Sequence, residues 1–376
     1  MASRVYLHVG LPKTGTTYLQ SVLWANKRAL AEQGILVPGR RPVDHMWATL
    51  VVRERPGLSS RRPQARTSWA RILEQVHAHE GPAIISHEFF GAASAEQAAR
   101  AIADLGCEVH VVVTARDMLT VVASYWQEYV KHGFRRIPLD AFPPAGGGSG
   151  EWTWDALDLE QVVRRWGAGI PPEHMHLLVL PGKEAPRDAL WLSFAAIVGI
   201  ERAEAFDLEQ ARENSSLGVV EAELMRRICD GLEDFDNAMD RGVWLRSYLA
   251  HRHLVPRQGS RPRPSPERVA ELRARADRAV SWLATSGSDI HGDLERLRVT
   301  GEPAGRDPAS VTADELLDAS ATVARGMLAD MRATRQENNR LTARIAELEA
   351  AAEAADAARW SRRARRAVRR ALPRRS

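Results

Sequence analysis

Two glycines, a lysine and three threonines crowd one short turn near the start of the chain, Gly10-Leu-Pro-Lys-Thr-Gly-Thr-Thr17. The apolar run before it, residues 5–9, is typical of a buried parallel strand, and the apolar residues at 19–30 recur near helical spacing. The turn is therefore expected to join a strand to a helix. Because N–H groups at a helix start lack partners and the helix dipole is positive there, this turn is suited to bind phosphate or sulfate oxygens.

The lysine of this turn does not lie where a nucleoside-triphosphate loop places it. Such a loop has two glycines separated by four residues, followed by Lys and then Ser or Thr. Gly10 and Gly15 have that spacing and Thr17 is in place, but Thr16 occupies the lysine position and the lysine comes earlier, at position 13. A lysine ahead of the second glycine approaches the anion from another side, which favours a different leaving group.

Residues 11–17 resemble the 5′-phosphosulfate loop of sulfotransferases that use 3′-phosphoadenosine 5′-phosphosulfate (PAPS), a family with bacterial members. In that family, the amides and hydroxyls of the loop hold the phosphosulfate, and the lysine stabilises charge on the bridging oxygen as the sulfuryl group leaves. The resemblance thus implies cofactor-binding roles for five residues, Lys13, Thr14, Gly15, Thr16 and Thr17. It also implies a catalytic role for Lys13.

Polar side chains end the second predicted strand, where Ser86-His87-Glu88 follows an apolar lead. In an open α/β sheet, ligands bind at the carboxyl ends of the strands. Sulfuryl transfer to a hydroxyl needs a base, and related enzymes place a histidine or a glutamate at this strand end. Matching the apolar lead of this strand, Ile84-Ile85, to that of the family's strand favours Glu88 as the base, with His87 as the other candidate. The alternative without catalysis is that Glu88 caps the next turn and His87 is a core histidine.

A second landmark follows the third predicted strand, residues 107–114. Arg116 lies at the carboxyl edge of that strand, Asp117 is a natural N-cap for the next helix, and Ser124 lies on that helix. This pair, Arg116 and Ser124, resembles the residues with which the family binds the 3′-phosphate of PAPS, a task that suits the planar donors of arginine. The alternative is a surface arginine and a small serine at a helix contact.

One later segment could bear on the nucleotide, and another is basic. Residues 214–217, Asn-Ser-Ser-Leu, resemble an element of bacterial sulfotransferases near which a loop contacts the adenosine or its phosphate, and they could equally cap the following helix. Residues 256–266 are rich in Pro, Arg and Ser and are expected to form a linker or a basic loop. No match to the Arg-Lys-Gly phosphate loop of the animal cytosolic enzymes is evident, so further 3′-phosphate contacts stay open.

These residues must be positioned by strands and helices, and the order of those elements indicates an α/β fold. Strand and helix patterns alternate over residues 1–305, which predicts a three-layer sandwich with a parallel sheet, as in the P-loop-like sulfotransferase fold. Residues 40–68 are expected to form a mobile loop plus a short helix, and residues 134–154 a flexible lid or insertion. In a later strand, His174 and His176 alternate with apolar residues, but no third ligand type clusters with them in the sequence, so no metal site is predicted.

The composition changes after about residue 305. Residues 306–358, rich in Ala, Glu, Arg and Leu, predict a helical extension whose apolar positions approximate a coiled-coil seam. Self-association into a homo-oligomer and a single helix folded back on the domain are both compatible with this pattern. Residues 359–376 contain nine arginines and no acid. This tail could contact an anionic surface such as lipid, or remain solvated.

Charge and cysteine content restrict the class of protein. The chain of 376 residues has a net charge of +4, which the arginine tail supplies, and the rest is mildly acidic. Its two cysteines, Cys107 and Cys229, do not suggest a disulfide framework. No apolar run reaches the roughly 18 residues that a membrane span needs. These features predict a cytoplasmic protein without a transmembrane segment, with peripheral contact at the inner membrane face left open.

The predicted activity is transfer of the sulfuryl group from PAPS to an acceptor hydroxyl, with an amine acceptor less favoured. Carbohydrates, lipid head groups and secondary metabolites all stay open as acceptors. No metal is expected to be needed because there is no triphosphate to neutralise. The alternatives are an ATP-dependent kinase or other P-loop phosphotransferase, which predicts Mg²⁺ dependence, and a non-catalytic scaffold that acts through the coil and the basic tail.

Overall fold

The computed structural model describes residues 1–134, 137–145, 150–182, 184–208, 216–235 and 237–371. The chain forms two compact units, Met1–Leu316 and Leu317–Ser376. In the described part of the chain, no helix combines the length and the apolar character that crossing a membrane requires.

The first unit is built on a sheet of five parallel strands in the order β2-β1-β3-β4-β5. The strands are β1 Arg4–Gly10, β2 Ala83–Ser86, β3 Glu108–Ala115, β4 Met175–Val179 and β5 Asp289–His291. The predicted α/β class with a parallel sheet is confirmed. Sequence analysis identified the first four strands but not β5.

Helices connect and cover these strands. The α-helices of the first unit are α1 Thr16–Ala25, α2 Lys27–Glu32, α3 Pro42–Val52, α4 Pro63–Arg66, α5 Ser68–Ala78, α6 Ala95–Leu105, α7 Met118–Lys131, α8 Trp154–Leu157, α9 Leu159–Gly167, α10 Ala189–Val198, α11 Val219–Asp230, α12 Ala238–Asp240 and α13 Pro266–Leu283. A π-helix, Arg241–Leu254, follows α12, and a 3₁₀ turn, Glu88–Ala92, follows β2.

The alternation of side chains along the strands forms two cores, one on each face of the sheet. On one face, Leu7 and Val111 pack with residues of α3, α5, α6, α9 and α13. On the other face, Tyr6 and Val112 pack with residues of α1, α2 and α10. Helices therefore cover both faces of a buried parallel sheet, as such sheets require.

Some local predictions were wrong in detail. The segment 40–68 was expected to be a loop with a short helix, but it contains the eleven-residue helix α3, which Pro42 begins and Asp44 caps. The apolar residues at 19–30 were expected to lie on one helix. They lie on two, α1 and α2, which meet at Asn26, whose side chain donates to the Val22 carbonyl oxygen. Asp117, by contrast, caps α7 as expected, accepting from the Thr120 N–H at 2.8 Å.

Strand order determines where a ligand can bind. β1 lies between β2 and β3, so the chain leaves β1 toward one side of the sheet and leaves β3 toward the other. At such a switch point the two loops separate and leave a crevice at the carboxyl ends of the strands. The turn after β1 contains Lys13, and the loop after β3 contains Arg116.

The second unit consists mainly of one long helix. Helix α14, Ala313–Ala371, begins at the end of the first unit and runs for 59 residues. Several of its large apolar side chains are exposed in this chain, including Met331, Leu341, Ile345 and Leu348.

Candidate functional site

The turn after β1 has a backbone that only certain residues can adopt. Gly15 precedes α1 with φ 82°, and a Cβ there would also meet the Leu190 side chain. Lys13 also has a positive φ, 65°, which is unfavourable for a residue with a side chain. Backbone of this kind concentrates at functional sites, where the surrounding structure holds it in place. The first N–H groups of the ten-residue helix α1 point out of its start beside this turn.

The threonines of the turn differ in their exposure to solvent. Thr14 is buried, and its hydroxyl donates to the Leu11 carbonyl oxygen and lies 2.6 Å from the Thr114 hydroxyl oxygen. Thr16 is also buried, whereas Thr17 is exposed. The hydroxyl of Thr14 thus holds the turn against β3, and its backbone N–H is the group that could serve a ligand.

A buried histidine joins the strand ends beneath the turn. Nδ1 of His8 lies 2.8 Å from the Ser86 Oγ atom, and its Nε2 lies 3.2 Å from the Thr114 Oγ1 atom. Burial lowers the pKa of His8 to about 4, which keeps the ring neutral near neutral pH. Sequence analysis missed this residue, because a histidine inside an apolar strand carries no signal that it connects three strands.

The Lys13 ammonium is paired with a buried carboxylate. Lys13 Nζ lies 2.9 Å from Glu128 Oε2. The same carboxylate accepts from Arg246 at 2.8 Å and from Lys131 at 3.3 Å, and His132 lies 3.6 Å away. Burial alone would raise the pKa of Glu128, but His132 and the three surrounding cations hold that pKa well below its ordinary value. Glu128 is therefore charged and positions the lysine.

Lys13, Arg116 and Ser124 line one cavity of about 390 Å³ in the first unit. Five cationic side chains line it, Lys13, Arg116, Lys131, Arg261 and Arg263. No acidic residue is among the described residues that line it. Its volume falls within the roughly 300–1,000 Å³ that small-molecule sites occupy. The arrangement suits a ligand of nucleotide size with several negative charges.

Two arginines of the cavity come from the segment that was expected to be a linker or a basic loop. The loop with Arg261 and Arg263 pairs with the backbone of Arg306, which donates to the Arg261 carbonyl oxygen at 2.8 Å and accepts from the Arg263 N–H at 2.9 Å. The Arg306 guanidinium in turn donates to Glu315. The alternating Arg-Pro-Arg-Pro of residues 261–264 was the available signal, but its partner segment could not be identified from the sequence.

Ser216 also lines the cavity, on the side of α7 that carries Ser124 and Gln127. It belongs to the segment 214–217 that sequence analysis linked to the nucleotide. Residues 214 and 215 lie outside the described part of the chain. Next to them, the Leu217 N–H donates to the Gln127 Oε1 atom at 2.9 Å, which anchors the segment to α7.

Glu88 and His87 lie beside the turn but are not among the described residues that line the cavity. A Cβ at Gly10 would be 3.1 Å from the Glu88 carbonyl oxygen, so the two segments are in close contact. The Glu88 carboxylate accepts from Gln20 at 2.9 Å, and the His87 Nδ1 atom accepts from the Phe89 N–H. The lone pair of that histidine nitrogen is therefore already used within its own turn.

The charge states of this pair follow from their surroundings. Burial would raise the pKa of Glu88, but the neighbouring His87 and the hydrogen bond from Gln20 leave that pKa below its ordinary value. Burial lowers the pKa of His87. A carboxylate with a lowered pKa is ionised near neutral pH, so Glu88 could accept a proton from an approaching hydroxyl.

No protein-family model, curated protein or solved structure matches this chain. Inference about its function therefore depends on the residues and their arrangement. The strongest feature is the convergence of Lys13 with Arg116 and Ser124 on one cavity lined by cations.

Proposed function

We propose that this protein is a sulfotransferase that uses PAPS. The observation that carries the proposal is that Lys13 and the pair Arg116 and Ser124, which are more than a hundred residues apart in the chain, line the same cavity. PAPS carries anionic groups at both ends of its ribose, a 5′-phosphosulfate and a 3′-phosphate. A ligand of that kind requires two separate groups of donors facing one space.

Two groups of donors are available for those anionic ends. Lys13, which lines the cavity, and the start of α1, whose residues 14–17 are not among the described residues that line it, form one group, for the phosphosulfate. Arg116, Ser124 and the loop arginines Arg261 and Arg263 form the other, for the 3′-phosphate. The loop arginines provide the further 3′-phosphate contacts that the sequence alone left open.

In the proposed reaction the acceptor oxygen forms a bond to sulfur as the bond from sulfur to the bridging oxygen breaks. The electron pair of the broken bond stays on the departing 5′-phosphate of the nucleotide, and Lys13 offsets its charge. Glu88 takes the proton of the acceptor hydroxyl. A preorganised cation and N–H donors that face the developing charge contribute strongly to such a step.

The alternatives receive less support. A kinase of the P-loop type would need a lysine at position 16, where this chain has Thr16. A non-catalytic scaffold gives no reason for five cationic side chains around one cavity of nucleotide size. In the proposed sulfotransferase the acceptor hydroxyl lies near Glu88. The acceptor itself belongs to one of three classes, carbohydrates, lipid head groups or secondary metabolites.

Calorimetry with 3′-phosphoadenosine 5′-phosphate, ATP and AMP tests the nucleotide. We expect the first to bind at least about tenfold more tightly than AMP, since its 3′-phosphate adds charge-assisted hydrogen bonds. Arg116→Ala should reduce that difference, whereas Arg278→Ala, at an exposed arginine outside the cavity, should preserve it. Equal affinity for the three nucleotides, or a preference for ATP with Mg²⁺, would contradict the proposal.

Transfer of labelled sulfate from PAPS to metabolites of a cell extract tests the chemistry. Loss of a general base should slow transfer by about 10²–10⁴-fold, so Glu88→Gln is expected to do so with nucleotide binding intact. His87→Gln is the matched control and should retain most of the activity. The reverse result would assign the base to His87, and no transfer by a chain that binds the nucleotide would refute the activity.

A further inference from the structure

A cluster of histidines and carboxylates lies at the amino-terminal half of the sheet, away from the strand ends that carry the cavity. The register pairs His176 with Asp289 and Leu178 with His291. Because side chains alternate along a strand, Asp289 and His291 lie on the same face as His176. His110 of β3 joins them, its Nδ1 atom 2.8 Å from the Nε2 atom of His176. The sequence showed no third ligand type near His174 and His176, but the fold brings Glu108 close to His174 and Asp289 close to His176.

The cluster contains two groups of three potential metal ligands. One is His176, Asp289 and His291, and the other is Glu108, His110 and His174, with all ligand atoms of each group within 4.8 Å of one another. Asp289 Oδ2 lies 2.8 Å from His176 Nδ1 and 2.7 Å from His291 Nε2. Two imidazoles and a carboxylate are ligands that zinc and its neighbours among the divalent transition metals prefer.

Ring geometry favours the first group. A metal ion lies in the plane of each imidazole that binds it, so two stacked rings cannot both point a nitrogen at one ion. His110 and His174 are stacked, with centroids 4.1 Å apart and planes only 25° apart. The rings of His176 and His291 are 5.8 Å apart and inclined by 42°, so their planes converge. The carboxylate of Asp289 already lies between these two rings.

The hydrogen bond between His110 and His176 limits the cluster to one ion. If His176 binds a metal through Nδ1, its proton must lie on Nε2 and point to Nδ1 of His110. His110 then carries its proton on Nε2, where Glu108 accepts it at 2.9 Å. If both groups held a metal, two N–H groups would face each other across 2.8 Å, which neutral imidazoles cannot do.

We propose that His176, Asp289 and His291 bind a single divalent transition-metal ion of the Zn²⁺ class, and that His110 and Glu108 orient His176 for it. Three protein ligands leave a fourth position for water. Partners that fix the tautomer of a ligating histidine are a regular part of zinc sites. This site is independent of the proposed transferase activity.

The position of the site indicates that a bound ion would stabilise the edge of the sheet. β5 has only three residues, lies at the edge of the sheet and is half-buried throughout. Metal ligands on β4 and β5 would fasten this short strand to its neighbour. Because the ion binds the folded chain, it should also raise the melting temperature.

Calorimetric titration of the full-length chain, freed of metal with EDTA, with ZnCl₂ tests the proposal. We expect one Zn²⁺ per chain and a higher melting temperature with zinc than without. Titration with Co²⁺ should produce the visible absorption of an ion bound by nitrogen and oxygen in low coordination. No zinc uptake, or two ions per chain, would overturn the proposal.

Matched variants separate the two groups of ligands. His291→Gln should weaken zinc affinity by at least about 100-fold, and Glu108→Gln by about 10–100-fold, the range found when an orienting partner is lost. His174→Gln is the control and should leave affinity and stoichiometry unchanged. Loss of zinc binding in His174→Gln with retention in His291→Gln would overturn the assignment. Circular dichroism of each metal-free variant checks its fold, and Asp289→Asn replaces His291→Gln if that variant does not fold.

Discussion

Lys13 combines an unfavourable backbone conformation with a side chain that is held in place. Its φ of 65° lies in the left-handed region, and its ammonium group is fixed on Glu128 at 2.9 Å. The types and spacing in the turn were sufficient to predict an anion site there. They could not reveal that the Thr14 hydroxyl faces inward to Thr114, because that depends on the neighbouring strand.

Two buried histidines should make stability depend on pH. Burial lowers the pKa of both His8 and His45 to about 4, against an ordinary value of 6.5. Between those values the unfolded chain binds protons that the folded chain does not, so the free energy of unfolding falls as the pH drops from about 6.5 to about 4. Each histidine can contribute up to about 1.4 kcal/mol per pH unit. Urea denaturation at pH 7, 6 and 5 measures this.

Substitution of both histidines tests whether they cause the pH dependence of the free energy of unfolding. The variant with His8→Gln and His45→Gln should be less stable at pH 7 and should show a weaker fall in stability toward pH 5. His77→Gln, at an exposed histidine, is the matched control and should keep the slope of the parent chain. An unchanged slope in the double variant would show that other groups cause the effect.

At the scale of elements, the loop of residues 261–264 completes the cavity. It depends on two backbone hydrogen bonds with Arg306, whose side chain is held by Glu315. We expect Arg261→Ala and Arg263→Ala each to weaken binding of 3′-phosphoadenosine 5′-phosphate by about 10–100-fold, since each removes a charge-assisted hydrogen bond. Calorimetry measures the affinity.

Comparison with AMP distinguishes the loss of a contact to the 3′-phosphate from a general loss of positive charge in the cavity. Because AMP lacks the 3′-phosphate, its affinity should change little in Arg261→Ala and Arg263→Ala. Arg278→Ala removes the same charge from the exposed side of α13 and should leave both nucleotides unaffected. Equal losses for the two nucleotides would place these arginines elsewhere than at the 3′-phosphate.

Elements with a strong local pattern could be predicted, and those set by distant partners could not. α6 occupies residues 95–105, where an alanine-rich run with a Ser94 cap and Gly106 at its end indicates a helix without tertiary context. β5 was missed because Asp-Ile-His is too short and too polar to display a strand pattern. It becomes a strand by pairing with β4 from more than a hundred residues away.

At the scale of the whole molecule, the long helix α14 carries an exposed apolar stripe. Its 59 residues correspond to about 90 Å at 1.5 Å per residue. Leu341, Ile345 and Leu348 are 47%, 57% and 54% exposed in this chain. Apolar side chains at this spacing are buried when two helices associate, so we expect the full-length chain to form a homo-oligomer through α14.

Analytical ultracentrifugation tests that association. Leu341→Glu with Ile345→Glu should convert the oligomer to a monomer, because charges would then occupy the seam. Ala343→Glu with Ala346→Glu adds the same charges on the outer face of the helix and should leave the oligomer intact. A parent chain that sediments as a monomer at micromolar concentration would contradict the prediction.

The pairing of Lys13 with Glu128 means that the anion proposed to bind at Lys13 would compete with a carboxylate of the same chain, 2.9 Å from the ammonium. Chloride or inorganic phosphate would offer few contacts in exchange, whereas the proposed nucleotide, held at two ends, would offer more. Glu128→Gln should therefore increase the affinity for inorganic sulfate, measured by calorimetry, and make the protein less discriminating among anions.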